Sequence, residues 1–108
     1  MQVVTRKHLA EAAAQYPDAG REIWAWYRIA NDARWRNFVE VRAAVEDADS
    51  VDGYVIFNLR RDRYRLVTVV HYAREKEGRI TMGRVYVRSF LTHPQYDSRA
   101  NWDKGVER

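Results

Sequence analysis

Apolar positions in the first 45 residues recur at helical spacing. Leu9, Ala12, Ala13 and Tyr16 fall at i, i+3, i+4 and i+7, one face of a helix that Thr5 is placed to cap and Pro17 stops. Asp18 is placed to cap a second helix with Ile23, Trp24, Tyr27 and Ala30 along one side. Trp24 and Trp26 cannot share a face of that helix, which leaves one of them for a partner. Asn37 stands three residues before Glu40, the spacing of a capping box, and opens a short third helix carrying Val41, Ala44 and Val45.

From Gly53 onward the pattern becomes that of strands. Tyr54–Leu59 is a nearly continuous apolar run, and Arg63–Tyr72 alternates with period two. Tyr64, Leu66, Thr68, Val70 and Tyr72 point one way; Arg65, Val67, Val69 and His71 point the other. The charged segment Ala73–Thr81 with Gly78 reads as a hairpin connection. A last strand, Arg84–Thr92, sets Val85, Val87, Ser89 and Leu91 against Tyr86, Arg88 and Phe90. Short connections favour antiparallel pairing. The expected fold is α+β, with the N-terminal helices packed on one face of a small antiparallel sheet and Val3–Val4 as an added edge strand. The other sheet face is then left open for a polar site.

Length and composition narrow the class. The 108 residues make about one domain, so residues 1–108 are read as a single unit. With no cysteine, a disulfide framework and any Cys-ligated metal are excluded. No apolar run approaches the roughly 20 residues that span a bilayer, and the opening residues have polar breaks where a signal peptide needs its apolar stretch. The expectation is a cytoplasmic protein without membrane contact. Charge is unevenly placed: residues 1–50 carry seven Lys/Arg against eight Asp/Glu, and residues 51–108 carry twelve against seven. The excess positive charge therefore lies in the C-terminal half, mostly as arginine, which pairs with phosphate bidentately. It is either a solvated basic face or the footprint of a nucleic acid.

Two segments carry candidate chemistry. RRDRYR places Arg60, Arg61, Arg63 and Arg65 within six residues at a turn and strand start. LTHPQYD brings His93, Tyr96 and Asp97 together where the last strand ends, and loop ends on a rigid sheet are common functional places. Arg88, in mid-strand, needs an open face or a carboxylate such as Asp97 or Asp62. His71 and the tryptophans read as structural. There is no phosphate-cradling glycine loop, no GxSxG elbow and no HExxH, and three scattered histidines are a poor metal set. Metal-free acid–base cleavage of RNA fits the parts present. One group deprotonates the 2′-OH, another protonates the leaving oxygen, and cations hold the developing charge.

The stretches VIFNL (55–59), YRLV (64–67) and VYVRSFLTHPQYD (85–97) resemble the HigB toxins of type II toxin–antitoxin modules. The TRKHL opening, AAAQYPDA, Trp35 and ADSVDGYVIFN (48–58) extend the resemblance over nearly the whole chain. It implies a RelE-like fold and an mRNA endonuclease that works on translating ribosomes without metal or organic cofactor. It also implies neutralisation by a HigA antitoxin bearing a helix-turn-helix domain, with operator DNA reached only through the complex. By the same resemblance Arg65 occupies the position that meets the scissile phosphate. His93 and Tyr96 are the counterparts of the family's groups at the end of the last strand. From charge and position Arg88 is expected to complete the catalytic set, Arg60, Arg61, Arg63 and Lys104 to contact RNA, and Asn58 and Asp97 to support the site. Where the family pattern has Gly-Gly-Asn after Phe-Asn, this chain has Arg60, Arg61 and Asp62, and its Ala73–Gly83 connection is longer than in most relatives. Two other readings remain at this stage. One is a ParE-like toxin that blocks DNA gyrase by protein contact. The other is an inactive domain that keeps antitoxin binding alone.

Overall fold

The computed structural model describes residues 1–105. Strand β1 (Gln2–Val4) leads into helix α1 (Arg6–Gln15), whose buried Leu9 and Ala12 are those of the apolar stripe. Pro17 ends it through a 3₁₀ turn, Pro17–Ala19, and helix α2 (Gly20–Asp32) follows. Asp18 does not cap α2. It lies inside the 3₁₀ turn, where its carboxylate accepts from the Tyr64 hydroxyl at 2.8 Å and from Arg63 at 3.0 Å. The buried stripe of α2 is Ile23, Trp26 and Ala30, with Trp24 only half-buried. The Trp26 ring meets Phe57 edge-on, a contact that Trp24 cannot reach from its own face; Trp24 instead lies beneath the Arg6 guanidinium. Helix α3 (Phe38–Ala44) begins at Asn37, whose side chain accepts from the Glu40 amide at 3.0 Å, but the box does not close: Glu40 Oε1 accepts from the Arg36 amide at 2.9 Å instead.

The sheet is larger than a meander. Strands β2 (Asp49–Val51), β3 (Tyr54–Leu59), β4 (Tyr64–His71) and β7 (Arg84–Thr92) run antiparallel, and β1 adds in parallel to β7, giving the order β1-β7-β4-β3-β2. The segment expected as a hairpin loop forms its own two strands, β5 (Arg74–Lys76) and β6 (Arg79–Thr81), apart from the main sheet. The three helices cover one face, over Val55, Phe57, Leu66, Val70, Val85 and Val87.

Alternation along β4 holds, but in β7 it is broken. Val67 pairs with Ser89 while Thr68 pairs with Val87, so Arg88 is the extra residue of a bulge. Phe90 thereby joins Val85 and Val87 on the helix side instead of Tyr86 on the far side. The far face is also not fully open. Tyr54, Ile56, Val67 and Val69 form a second apolar cluster capped by Trp102 from the C-terminal segment. Polar side chains are left at either end of that cluster, Asn58 and Arg65 at one and His71 at the other.

Candidate active site

Arg65 on β4 lies directly across from Asn58 on β3, on the face away from the helices. Its guanidinium is held to its own turn, Nη1 donating to the Asp62 carbonyl at 2.7 Å. Helix α4 (His93–Tyr96) starts at a full capping box, with Thr92 Oγ1 accepting from the Gln95 amide and Gln95 Oε1 accepting from the Thr92 amide. That single turn, with Pro94 in its first positions, brings Tyr96 back over the sheet. Arg65 Cζ lies 5.4 Å from the centre of the phenol ring, a cation–π distance.

Behind Tyr96 lies Trp102, stacked at 5.0 Å and 9°. The Trp102 indole N–H donates to the Tyr96 carbonyl at 2.8 Å. Trp102 meets Tyr54 edge-on at 5.1 Å, and Arg88 Cζ stands 5.9 Å from the Tyr54 ring. A line of three rings with a cation at each end thus runs Arg65, Tyr96, Trp102, Tyr54, Arg88. Its base is tied by Tyr54 donating to Asp103 and by Arg99 bridging Asp103 and Asp52.

Arg65, Asn58 and Tyr96 border an open cleft of about 330 Å³, with Arg42, Asp47 and Asp49 on its other wall. Burial, and then the nearby Asp49 charge, push the Tyr96 hydroxyl above its ordinary pKa, while Arg65 pulls the other way. The net direction is upward, so Tyr96 is a protonated phenol near neutral pH and acts as a donor. Arg42 is fixed by Nε and Nη2 donating to the Glu46 carbonyl.

The other expected residues are spread more widely. His93 opens α4 with Nε2 3.4 Å from Asp97 Oδ1, and it does not line the cleft. Arg88 meets neither Asp97 nor Asp62; its Nη2 donates to the Gly105 carbonyl at 2.6 Å. Lys104 Nζ donates to the Ala100 carbonyl at 2.9 Å. Arg60 and Arg61 both adopt positive φ, 52° and 62°. Arg60 lies against Glu22, Arg63 pairs with Asp18, and Arg61 has no carboxylate partner among the described residues. With Glu22 these three arginines line a separate open pocket. Sequence reasoning missed Arg42 on α3, Asp47 in the loop after it and Asp49 on the three-residue β2, which belong to no motif and meet Asn58 only once β2 pairs with β3, and it took Trp102 mainly for packing.

A helix-backed antiparallel sheet is the fold that the resemblance to RelE-like toxins implies, and Arg65 and the stacked Tyr96 lie at an open cleft on its far face. Residues 19–99 match the HigB toxin family, described as the RelE-like toxic component of a toxin–antitoxin system, and the chain belongs to that family. It is similar to the mRNA interferase toxin HigB of Escherichia coli (strain K12), 25% identical over 100 residues that span 90% of this chain and 88% of the relative. The mRNA interferase HigB of Shigella flexneri matches to the same extent. As the toxic component of such a system the protein has an antitoxin partner, and these matches do not favour the gyrase-directed alternative. No helix among the described residues is long and apolar enough to cross a membrane.

Proposed function

We propose that the protein is an mRNA interferase that cuts messenger RNA on the ribosome and is held inactive by a HigA-type antitoxin with a helix-turn-helix domain, through which operator DNA is bound. It works in the cytoplasm. The observation that carries this reading is the Arg65 guanidinium set against the Tyr96 phenol in an open cleft. Family membership and the two named relatives support it.

The chemistry is transesterification. The 2′-oxygen attacks phosphorus, the P–O5′ bond breaks, and the products are a 2′,3′-cyclic phosphate and a free 5′-OH. Arg65 holds the scissile phosphate and stabilises the charge that develops on it. Tyr96, protonated, donates a hydrogen bond at the phosphate or the leaving O5′. His93, three residues before Tyr96 at the start of α4, accepts the 2′-OH proton, and Asp97, with Oδ1 3.4 Å from its Nε2, orients its ring. Arg88 adds positive charge from the far end of the ring line, Asn58 supports Arg65 across the strands, and Arg60, Arg61, Arg63 and Lys104 hold flanking backbone. No metal takes part. The test is cleavage by programmed ribosomes with wild type and with Arg65→Ala. Loss of cutting with antitoxin binding kept supports the proposal; full cutting by Arg65→Ala removes it.

A further inference from the structure

The hairpin of β5 and β6 plays no part in the cleft, yet its shape is tightly specified. Every residue of both strands is exposed, and an isolated two-stranded hairpin is marginal on its own. Lys76 pairs with Arg79 across a two-residue turn whose Glu77 and Gly78 have φ of 53° and 78°, the geometry that matches strand twist. The base is fixed as well. The Ala73 amide donates to the Trp35 carbonyl at 2.8 Å, and Gly83, at φ 77°, lies where a Cβ would overlap the His71 carbonyl and the Ala73 amide.

Register sorts the side chains. Arg74 faces Thr81 and Lys76 faces Arg79, so these four share one face, while Glu75 and Ile80 take the other. Glu77 sits at the tip. Arg74, Lys76 and Arg79 make no ion pair among the described residues. A groove at the hairpin base joins Arg74 and Thr81 to His71, Arg84 and Tyr86. His71 lies across from Arg84 and meets the half-exposed Tyr86 ring at 4.9 Å. His71 is six residues from Arg65 on the same strand, hence on the same sheet face, about 20 Å away at roughly 3.3 Å per residue.

We propose that Arg74, Lys76, Arg79 and Arg84, with Tyr86 beside them, form a second RNA-binding surface for the strand whose scissile phosphate Arg65 holds. This rests on the RNA-cleaving reading of the Arg65 cleft. Unpaired cations along two exposed strands, next to an aromatic ring, match a polyphosphate backbone and a base better than they match a folded apolar partner. At roughly 3.4 Å per stacked nucleotide the surface lies about six nucleotides from the cut.

The experiment compares Arg74→Gln/Lys76→Gln/Arg79→Gln with the parent, both in the non-cleaving Arg65→Ala background. Binding to single-stranded RNAs well longer and well shorter than the span is measured against salt. For the longer RNA the log–log salt slope falls by about 2, from three phosphates at about 0.7 each, and affinity drops roughly tenfold. The shorter RNA is unaffected, Arg74→Lys/Arg79→Lys keeps the parent slope, and antitoxin binding stays intact. Unchanged slope and affinity on the longer RNA overturn the proposal. Loss of antitoxin binding with RNA binding kept also overturns it, by making the hairpin a protein-docking element. A parent that binds RNA with the hairpin-dependent slope while the wild type never cuts rejects the cleavage reading and leaves the surface standing. A parent that binds no RNA overturns the surface, while the cleavage reading falls separately if wild type leaves mRNA uncut on programmed ribosomes.

Discussion

The Tyr96 ring lies flat against Trp102, 5.0 Å between centres and 9° between planes, with the Trp102 N–H bonded to the Tyr96 carbonyl. The tryptophan therefore sets both the height of the phenol over Arg65 and the path of the chain that carries it. Tyr96 ends a one-turn helix and has little other support. Trp102→Ala should cost about 3–5 kcal/mol, the usual range for deleting a buried tryptophan. Trp102→Phe should keep the fold and a ring under Tyr96 but lose the hydrogen bond, typically worth about 0.5–1.5 kcal/mol. Cleavage by Trp102→Phe should fall up to roughly tenfold with antitoxin affinity unchanged. Cleavage equal to wild type would show that Tyr96 does not need this support.

Much of the fold is legible in the residues themselves. The helical stripe of α1, the Asn37 cap and the alternation of β4 all appear as the sequence predicts, because each is a local rule acting on a strongly patterned segment. What escaped depends on distant contacts. Asp18 looks like a helix cap but is drawn away by Tyr64, 46 residues later. The bulge at Arg88 leaves no mark in a sequence that alternates smoothly, and it moves Phe90 to the opposite face. At the site, Arg65, Asn58 and Tyr96 were identified and share one cleft, whereas His93 and Arg88 do not line it. Trp102 carries no local sign of its role, since five residues separate it from Tyr96, whose carbonyl it binds.

Arg60 and Arg61 occupy backbone conformations that suit glycine, at φ 52° and 62°, where a non-glycine residue costs on the order of 1–2 kcal/mol. The exposed contact of Arg60 with Glu22 does little to offset this. Replacing both with glycine should raise the melting temperature, by roughly 1 kcal/mol of net stability once glycine's extra chain entropy is counted. The same change should weaken ribosome or RNA binding and reduce its salt dependence. Thermal melts and salt titrations check the two effects separately. A variant that is less stable, or binds as tightly as wild type, would deny that strain is retained here for charge.

Asp18 is held below the usual carboxylate pKa by the Tyr64 hydroxyl and then by Arg63, and Asp103 by Arg99 and then by Tyr54. A group with a depressed folded pKa stabilises above its unfolded value, about 3.9, and loses that contribution as pH falls through the folded value. Stability should therefore decline below about pH 4, and Asp18→Asn with Asp103→Asn should flatten that acid limb while lowering stability at neutral pH. Melting curves across pH check this; an acid limb as steep in the double variant as in wild type would contradict it.

The Asp49 carboxylate helps, after burial, to hold the Tyr96 proton. Asp49→Asn should move the tyrosinate titration to lower pH and shift the alkaline limb of cleavage the same way, leaving the rate near neutral pH little changed. Difference absorbance of the Tyr96→Phe-subtracted spectrum gives the titration. A Tyr96 titration that stays in place would separate Asp49 from the chemistry.

The most direct measurement is the end group and yield of mRNA cut by programmed ribosomes for wild type, Arg65→Ala, Tyr96→Phe and His93→Ala, with a chelator arm run on ribosome-free RNA. Wild type should leave a 2′,3′-cyclic or 3′-phosphate and a 5′-OH. Loss of the charge stabiliser Arg65 should slow cutting by about 10²–10³, and loss of a positioned proton donor or acceptor by about 10²–10⁴, all three variants still binding antitoxin. Wild-type rates from both Arg65→Ala and His93→Ala, or 5′-phosphate ends that vanish with chelator, would contradict a metal-free site built on these residues.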